Sequence, residues 1–417
     1  MDGKPSSLDV FNIREFRWLF IGNIAFFLAM QGQMLTRSLL AWDLTGEATS
    51  LAYINLVIAV PMIFASLLGG AITDRVERRK LVIIGQSLIV INEVFTLSLL
   101  LLGQLEFWHM LCTAFVAGCA FPFIMPARMA ITMNVVGPKR LQAAMAYQGG
   151  AMNLNRVLGP AIMGIIIAQY SFSAAFYLST FLYLCAIFCM FHIEPSYSKE
   201  KSAESKPLLA DIGHGFKYIR QNRPVLICLL FGLLPMFLAM PFQNILVVLA
   251  EEAWQAGESG VGILMAIGGV GGVIGAIWIA KQGDIGSRLQ VMLGSTFFFG
   301  VFLAVFAQTS NFYYALIPLL LANVCASASQ TVNGAAIQLL VDDNVRGRMS
   351  SFMMLSFGLT PIGVFPMAIA ADSFGAGNAI IAASITLMVL VLIFYALSAT
   401  LRDLDNSVNR KVEAFDL

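Results

Sequence analysis

Gly69-Gly70-Ala71-Ile72-Thr73-Asp74-Arg75-Val76-Glu77-Arg78-Arg79-Lys80 is a short charged stretch between two apolar runs, about 51–72 and 81–103. A helix rises 1.5 Å per residue, so about 20 apolar residues match the ~30 Å hydrocarbon core of a bilayer. The stretch therefore reads as the turn of a membrane hairpin, with four bases held on one side. The same alternation of long apolar runs and short charged turns continues along all 417 residues. Hydrophobic residues make up 59% and charged residues 12%, with a mean hydropathy of +0.80. A soluble chain of this length would carry roughly twice that charged fraction. Within lipid the backbone must satisfy itself, which leaves helices or a closed barrel. The runs are continuous and lack the alternating polarity of barrel strands, so helices are expected.

The expected spans are about 17–41, 51–72, 81–103, 107–127, 142–168 and 172–193, then 224–249, 260–281, 289–308, 312–340, 349–371 and 377–400. The expected fold class is an all-α membrane protein of twelve transmembrane helices in two pseudo-symmetric six-helix bundles. The organisation is a first bundle over 1–193, a cytoplasmic linker over 194–222, a second bundle over 223–401 and a loose polar tail over 402–417. The linker includes an amphipathic stretch near Leu208–Ile219. All but two of the 25 basic residues fall at the N-terminus, in loops 2–3, 4–5, 8–9 and 10–11, in the linker and in the tail. Basic residues stay on the cytoplasmic side, so both termini are expected there. The two exceptions, Arg37 and Arg156, lie within spans.

The halves share an internal repeat at an offset of 210 residues. Leu28-Ala29-Met30 recurs as Leu238-Ala239-Met240, Gln33 as Gln243, and Asp74 and Arg78 as Asp284 and Arg288. Two duplicated six-helix halves suggest a site between them that opens alternately to either side.

The opening stretch resembles the loop 2–3 signature of the major facilitator superfamily, in which a Gly precedes Asp-Arg, a small residue and two bases. Gly70, Asp74, Arg75, Arg78 and Arg79 match it, while Glu77 stands where the family has Gly for a tight turn. Trp42-Asp43-Leu44-Thr45-Gly46 followed by Pro61, Pro126-Ala127-Arg128 and Arg346-Gly347-Arg348 resemble the branch of enterobactin-type siderophore exporters and macrolide efflux proteins. Asn155 to Gly164 resembles the antiporter signature of helix 5 through Gly159, Pro160 and Gly164, with Asn155 and Met163 replacing two glycines. The membrane-embedded Arg that many drug–proton antiporters carry in helix 4 has no counterpart between Cys112 and Phe123.

A transporter needs gates and a mid-membrane site. Asp74 is placed to accept the free amides at the start of helix 11, near Met349, or to pair with Arg128 or Arg348. Asp284, Arg288 and Arg140 form the possible counterpart. The plain alternative is that these charges only set topology. For the site, an Arg near the middle of a span costs ~2.5–3.5 kcal/mol on insertion scales and should face a cavity or a partner. Arg37 follows Gln33 on one face of helix 1, Arg156 follows Asn153 in helix 5, and Glu93 is the acid nearest a span centre. Glu93 either pairs with an Arg or stays protonated as a proton carrier, and Arg37 either faces the cavity or reaches the outer interface near Asp43. An excess of positive charge in the cavity favours an anionic or zwitterionic cargo. In the second half Gln243, Asn244, Asn323 and Gln330 either bind cargo or join helices. The glycines Gly268, Gly271, Gly272 and Gly275 read as packing positions. Pro122, Pro126, Pro235, Pro241, Pro361 and Pro366 are expected kink sites.

These features point to a secondary transporter, with proton-coupled export of an amphipathic siderophore, drug or secondary metabolite as the leading reading. A facilitator or importer with other or no ion coupling is the alternative, and a membrane-embedded enzyme a remote one. No catalytic residues, cofactor or metal are expected. The six cysteines lack ligand or disulfide spacing, and the three histidines are scattered near span ends or in the linker. The expected partners are the cargo, protons and lipid, with no nucleic acid, and the chain is expected as a monomer in a bacterial inner membrane.

Overall fold

The computed structural model describes residues 7–196, 218–282, 287–341 and 360–415. The first half contains α1 (Arg14–Thr45), α2 (Ala48–Arg75), α3 (Arg78–Leu101), α4 (Phe107–Val136), α5 (Pro138–Gln169) and α6 (Phe172–Phe191). The second contains α7 (Arg223–Leu238), α8 (Leu246–Trp254), α9 (Gly257–Gln282), α10 (Arg288–Gln308) and α11 (Phe312–Leu340). It continues with α12 (Thr360–Phe374), α13 (Ala376–Leu397), the short α14 (Ala399–Arg402) and α15 (Leu404–Phe415). Among the described residues, 11 helical stretches are long and apolar enough to cross a membrane, and a shorter apolar helix covers Ile362–Phe374.

The chain divides into two compact units. The first is Met1–Gly46, Tyr53–Glu204 and Gly257–Ala266; the second is Glu47–Ala52, Ser205–Ala256 and Ile267–Leu417. Within the first, α1 packs against α5 and α6, and α3 against α4 and α6. Within the second, α7 packs against α12 and α13, and α10 against α11 and α13. The packing thus repeats between the two halves as the sequence does.

Because lipid tails are as apolar as Leu, helix association relies on close van der Waals contact at small residues. At Gly32 a Cβ would lie 2.4 Å from Met163 Cγ, and at Gly159 it would lie 2.9 Å from the Gly32 nitrogen. These two positions set the spacing of α1 and α5. In α9, Gly271 and Gly275 meet the carbonyls of Leu320 and Val324 on α11. Leu19, Phe26, Val82, Ile124, Ile131, Tyr183 and Met190 fill the core of the first unit.

Three expectations change in the structure. The seventh span is broken: α7 ends at Leu238, a 3-10 turn covers Met240–Gln243, and α8 resumes at Leu246. Pro241 has no amide proton for the carbonyl of Phe237. Gly363 of α12 fills the space beside that oxygen, where a Cβ would come to 2.5 Å. Glu77 has φ −59°, which any residue adopts, so the missing glycine costs no strain. The tail beyond Arg402 is helical and docked. Leu401, Leu404 and Val408 are buried, Asp405 accepts the Leu289 amide at 3.2 Å, and Arg288 donates to Asn409 at 3.0 Å. An apolar stripe in a polar helix is enough to seat it.

Candidate functional site

α1, α3, α4 and α6 bring a polar network into the interior of the first unit. Arg37 Nη2 donates to Glu93 Oε1 at 2.7 Å, and the Glu93 side chain is 2% exposed against 13% for Arg37. Gln33 Nε2 donates to Ser179 Oγ at 2.6 Å, and that hydroxyl lies 3.3 Å from Glu93 Oε2. Arg37 Nη1 also reaches Thr113 Oγ1 at 3.5 Å, and Asn92 fixes this turn of α4 by donating to the Thr113 carbonyl. Gln33 Oε1 is buried without a hydrogen-bond partner. A buried carboxylate must be paired or protonated, and here Arg37 neutralises it. This network therefore has one charge pair and one spare acceptor.

Arg156 is placed differently. It is exposed near the middle of α5, and among the described residues no hydrogen bond or ion pair reaches its side chain. Asn153 and Gly149, one and two turns earlier, are exposed on the same stripe. Past Arg156 that stripe is closed: Met163 is 1% exposed, and Gly164 packs onto Glu258 and Gly262 of α9. Pro160 and Gly262 are equally close, and Gly159 seats α5 on α1. The antiporter-like residues thus form the packed part of the stripe. Around the helix, Leu154, Leu158 and Ile165 form a second exposed face that is wholly apolar. A helix with two exposed faces of opposite chemistry suits lipid on one and water on the other. Pro160 also leaves the Arg156 carbonyl without its helical donor.

In the second unit, Gln243 is exposed and Asn244 half-buried at the break between α7 and α8, and Gln330 is exposed on α11. Asn323 is buried, donating to the Leu319 carbonyl at 2.9 Å beside Gly268, so it serves packing. Asn333 packs on Gly232 and keeps Oδ1 without a partner.

Of the expected gate residues, Gly70, Asp74, Arg75, Asp284, Arg346 and Arg348 lie outside the residues or side chains described. Arg78 donates its amide to the Ser196 carbonyl at 2.9 Å, and Arg79 donates its guanidinium to the Ile193 carbonyl at 2.8 Å. Both therefore fasten the start of α3 to the end of the first half. Arg128 is 3% exposed, donates to Asn23 Oδ1 and stands 4.3 Å over the Phe26 ring. Its Nε and Nη2 have no hydrogen-bond partner.

Two acids escape sequence reasoning. Asp372, at the end of α12, accepts the amides of Ala48 and Thr49, and Glu252 accepts that of Ala376 at 2.8 Å. Each caps a helix start. The free amides of Ala48 and Ala376 were a signal for a cap, but nothing in the sequence said which acid would supply it.

The profile of the family described as transmembrane secretion effector matches residues 5–415. The staphyloferrin A transporter of Staphylococcus aureus is 24% identical over 85% of this chain and 89% of its own. Macrolide efflux protein A of Streptococcus pyogenes is 21% identical over 87% of this chain and 90% of its own. Among solved structures, the nucleoside transporter NupG superposes with a TM-score of 0.73 at 11% identity, covering 92% of this chain and 98% of its own.

Proposed function

The chain belongs to the transmembrane secretion effector family of major facilitator membrane transporters, and we propose that it exports an amphipathic small molecule in exchange for protons. It is a multi-pass membrane transporter and not an enzyme. The observation that carries the proposal is the polar exposed stripe of α5 at membrane depth, ending at Arg156 where the helix becomes packed. A stripe of this kind suits a translocation path that is open on one side of the site and shut on the other. Efflux relatives favour the outward direction. On this reading both termini are cytoplasmic in a bacterial inner membrane, and the monomer is the working unit.

Glu93 is the proposed proton carrier. A proton arriving on Glu93 Oε1 removes the negative charge facing Arg37 and breaks the pair. Its departure restores the pair and resets the first unit. Asp74, Arg75, Arg78, Arg79, Arg128 and Gly70, with Asp284, Arg288, Arg346 and Arg348, are the proposed gate residues on the cytoplasmic side. Gln33, Asn153, Gln243, Asn244 and Gln330 are proposed polar contacts to cargo.

The near-complete burial of Glu93 favours a second reading, in which the pair is structural and the protein a facilitator. Flux in proteoliposomes under an imposed pH gradient separates the two, with wild type beside Glu93→Gln. Gradient-driven accumulation that Glu93→Gln abolishes supports the exchanger. Flux that only equilibrates and ignores pH overturns it.

A further inference from the structure

We propose that Arg156 is the cargo-binding cation and that the cargo is an amphipathic carboxylate; this rests on the transport reading above. Of the bases deep within apolar helices, Arg37 is already neutralised by Glu93 at 2.7 Å, and Arg128 of α4 is 3% exposed and donates to Asn23, so neither is open to a cargo. Arg156 is exposed, and among the described residues it has neither an acid nor a carbonyl to receive its guanidinium. Five N–H donors in a planar fork match a carboxylate through two parallel hydrogen bonds.

The surroundings suit such a cargo. Asn153 lies one turn away on the same exposed stripe, and its amide can donate to a carboxylate oxygen or to a neighbouring carbonyl of the cargo. Met152, 43% exposed, adds a flexible apolar contact beside it. A Cβ at Gly149, two turns before Arg156 on the stripe, would meet nothing within 4 Å, so this part of α5 has room for the bulk of a cargo. The apolar residues Leu154 and Leu158 are on the other exposed face and do not line the stripe. An ammonium-bearing amphiphile of the same shape would meet like charge with no acid on this stripe to receive it.

The test is a matched pair: dansylglycine, a carboxylate, and dansyl-ethylenediamine, an ammonium, each titrated onto the full-length protein in nanodiscs and each followed for flux in proteoliposomes. Wild type should bind the carboxylate at least tenfold more tightly than the ammonium. Arg156→Gln should lose roughly ten- to a hundredfold in carboxylate affinity, as expected for a charge-assisted hydrogen-bonded pair. Arg156→Lys should recover part of it, and Arg156→Glu should reverse the preference. Arg156-dependent binding without flux of either probe leaves the inference standing and sinks the transport reading for this cargo class. Equal binding of the two probes, carboxylate binding unchanged in Arg156→Gln, or no carboxylate binding by wild type overturns the inference.

Discussion

The Asp372 carboxylate closes the first turn of α2, taking the amide of Ala48 on Oδ1 at 2.7 Å and that of Thr49 on Oδ2 at 3.0 Å. The first helical amides have no partner of their own, and a neighbouring side chain usually supplies one. An acid 324 residues away does so instead. Glu47–Ala52 groups with the second unit, as Asp372 does, although the rest of α2 belongs to the first. If the helices exchange partners during transport, this cap must open once per cycle. Asp372→Ala should remove about 0.5–2 kcal/mol of capping. A cysteine at Ser50, which is 2% exposed, should then react several-fold faster with a hydrophilic maleimide in a cysteine-free background. Unchanged labelling would mean that the cap contributes nothing to closure.

Arg37 and Glu93 should be far more sensitive singly than together. Glu93→Gln or Arg37→Gln leaves its partner buried and unpaired, at a cost of about 3–5 kcal/mol. The double variant removes both charges and should recover much of that loss. A double-mutant cycle in thermal unfolding reads the coupling directly, and additive effects would show that the 2.7 Å contact is energetically idle.

The glycines of α5 should divide into two classes. Gly159→Ala puts a methyl 2.8 Å from Gln31 Cβ and 2.9 Å from the Gly32 nitrogen, and over-packing of this kind costs about 1–3 kcal/mol. Gly149→Ala meets nothing within 4 Å and should leave the melting temperature unchanged or slightly raised, since alanine favours helix. Similar melting shifts in both variants would contradict the packed-then-open description of this helix.

Asp405→Ala should loosen the tail. Its carboxylate accepts the Leu289 amide in the first turn of α10, and losing a cap of this type costs about 1 kcal/mol. Limited proteolysis should cut after Arg410 faster in this variant than in wild type, whereas Asn406→Ala, whose side chain bonds only to Asp403 among the described residues, should leave cutting unchanged.

Membrane insertion is legible in the sequence because it depends on composition over whole turns, and so the spans and the two related halves could be read from residues alone. Arg37, Glu93 and Arg156 stood out because charge within an apolar run is expensive. Which Arg met Glu93 was not legible, since that depends on how α1, α3 and α5 are rotated about their axes. Ser179 and Thr113 escaped notice because hydroxyls are common in membrane helices and bond to their own backbone. Asp372 looked like any acid at the end of a span. The broken seventh span was signalled by Pro235 and Pro241, yet a proline kinks a helix more often than it divides one. Here Gly363 sits against the Phe237 carbonyl, where a Cβ would come to 2.5 Å. The tail misled because its mean polarity hid the spacing of Leu401, Leu404 and Val408.

The seam between α1 and α5 has a mechanical consequence. With no free volume at Gly32 and Gly159, and with Asn155 donating to the Ile24 carbonyl at 3.1 Å, these two helices cannot slide past each other. α1 carries Arg37 and α5 carries Arg156, so the two cations are mounted on one stiff spar. Tilting that spar moves both together. If Glu93 gains and loses its charge as proposed, a tilt that follows reaches Arg156 without any chain of side chains relaying it, in the way that one end of a seesaw reports the load on the other.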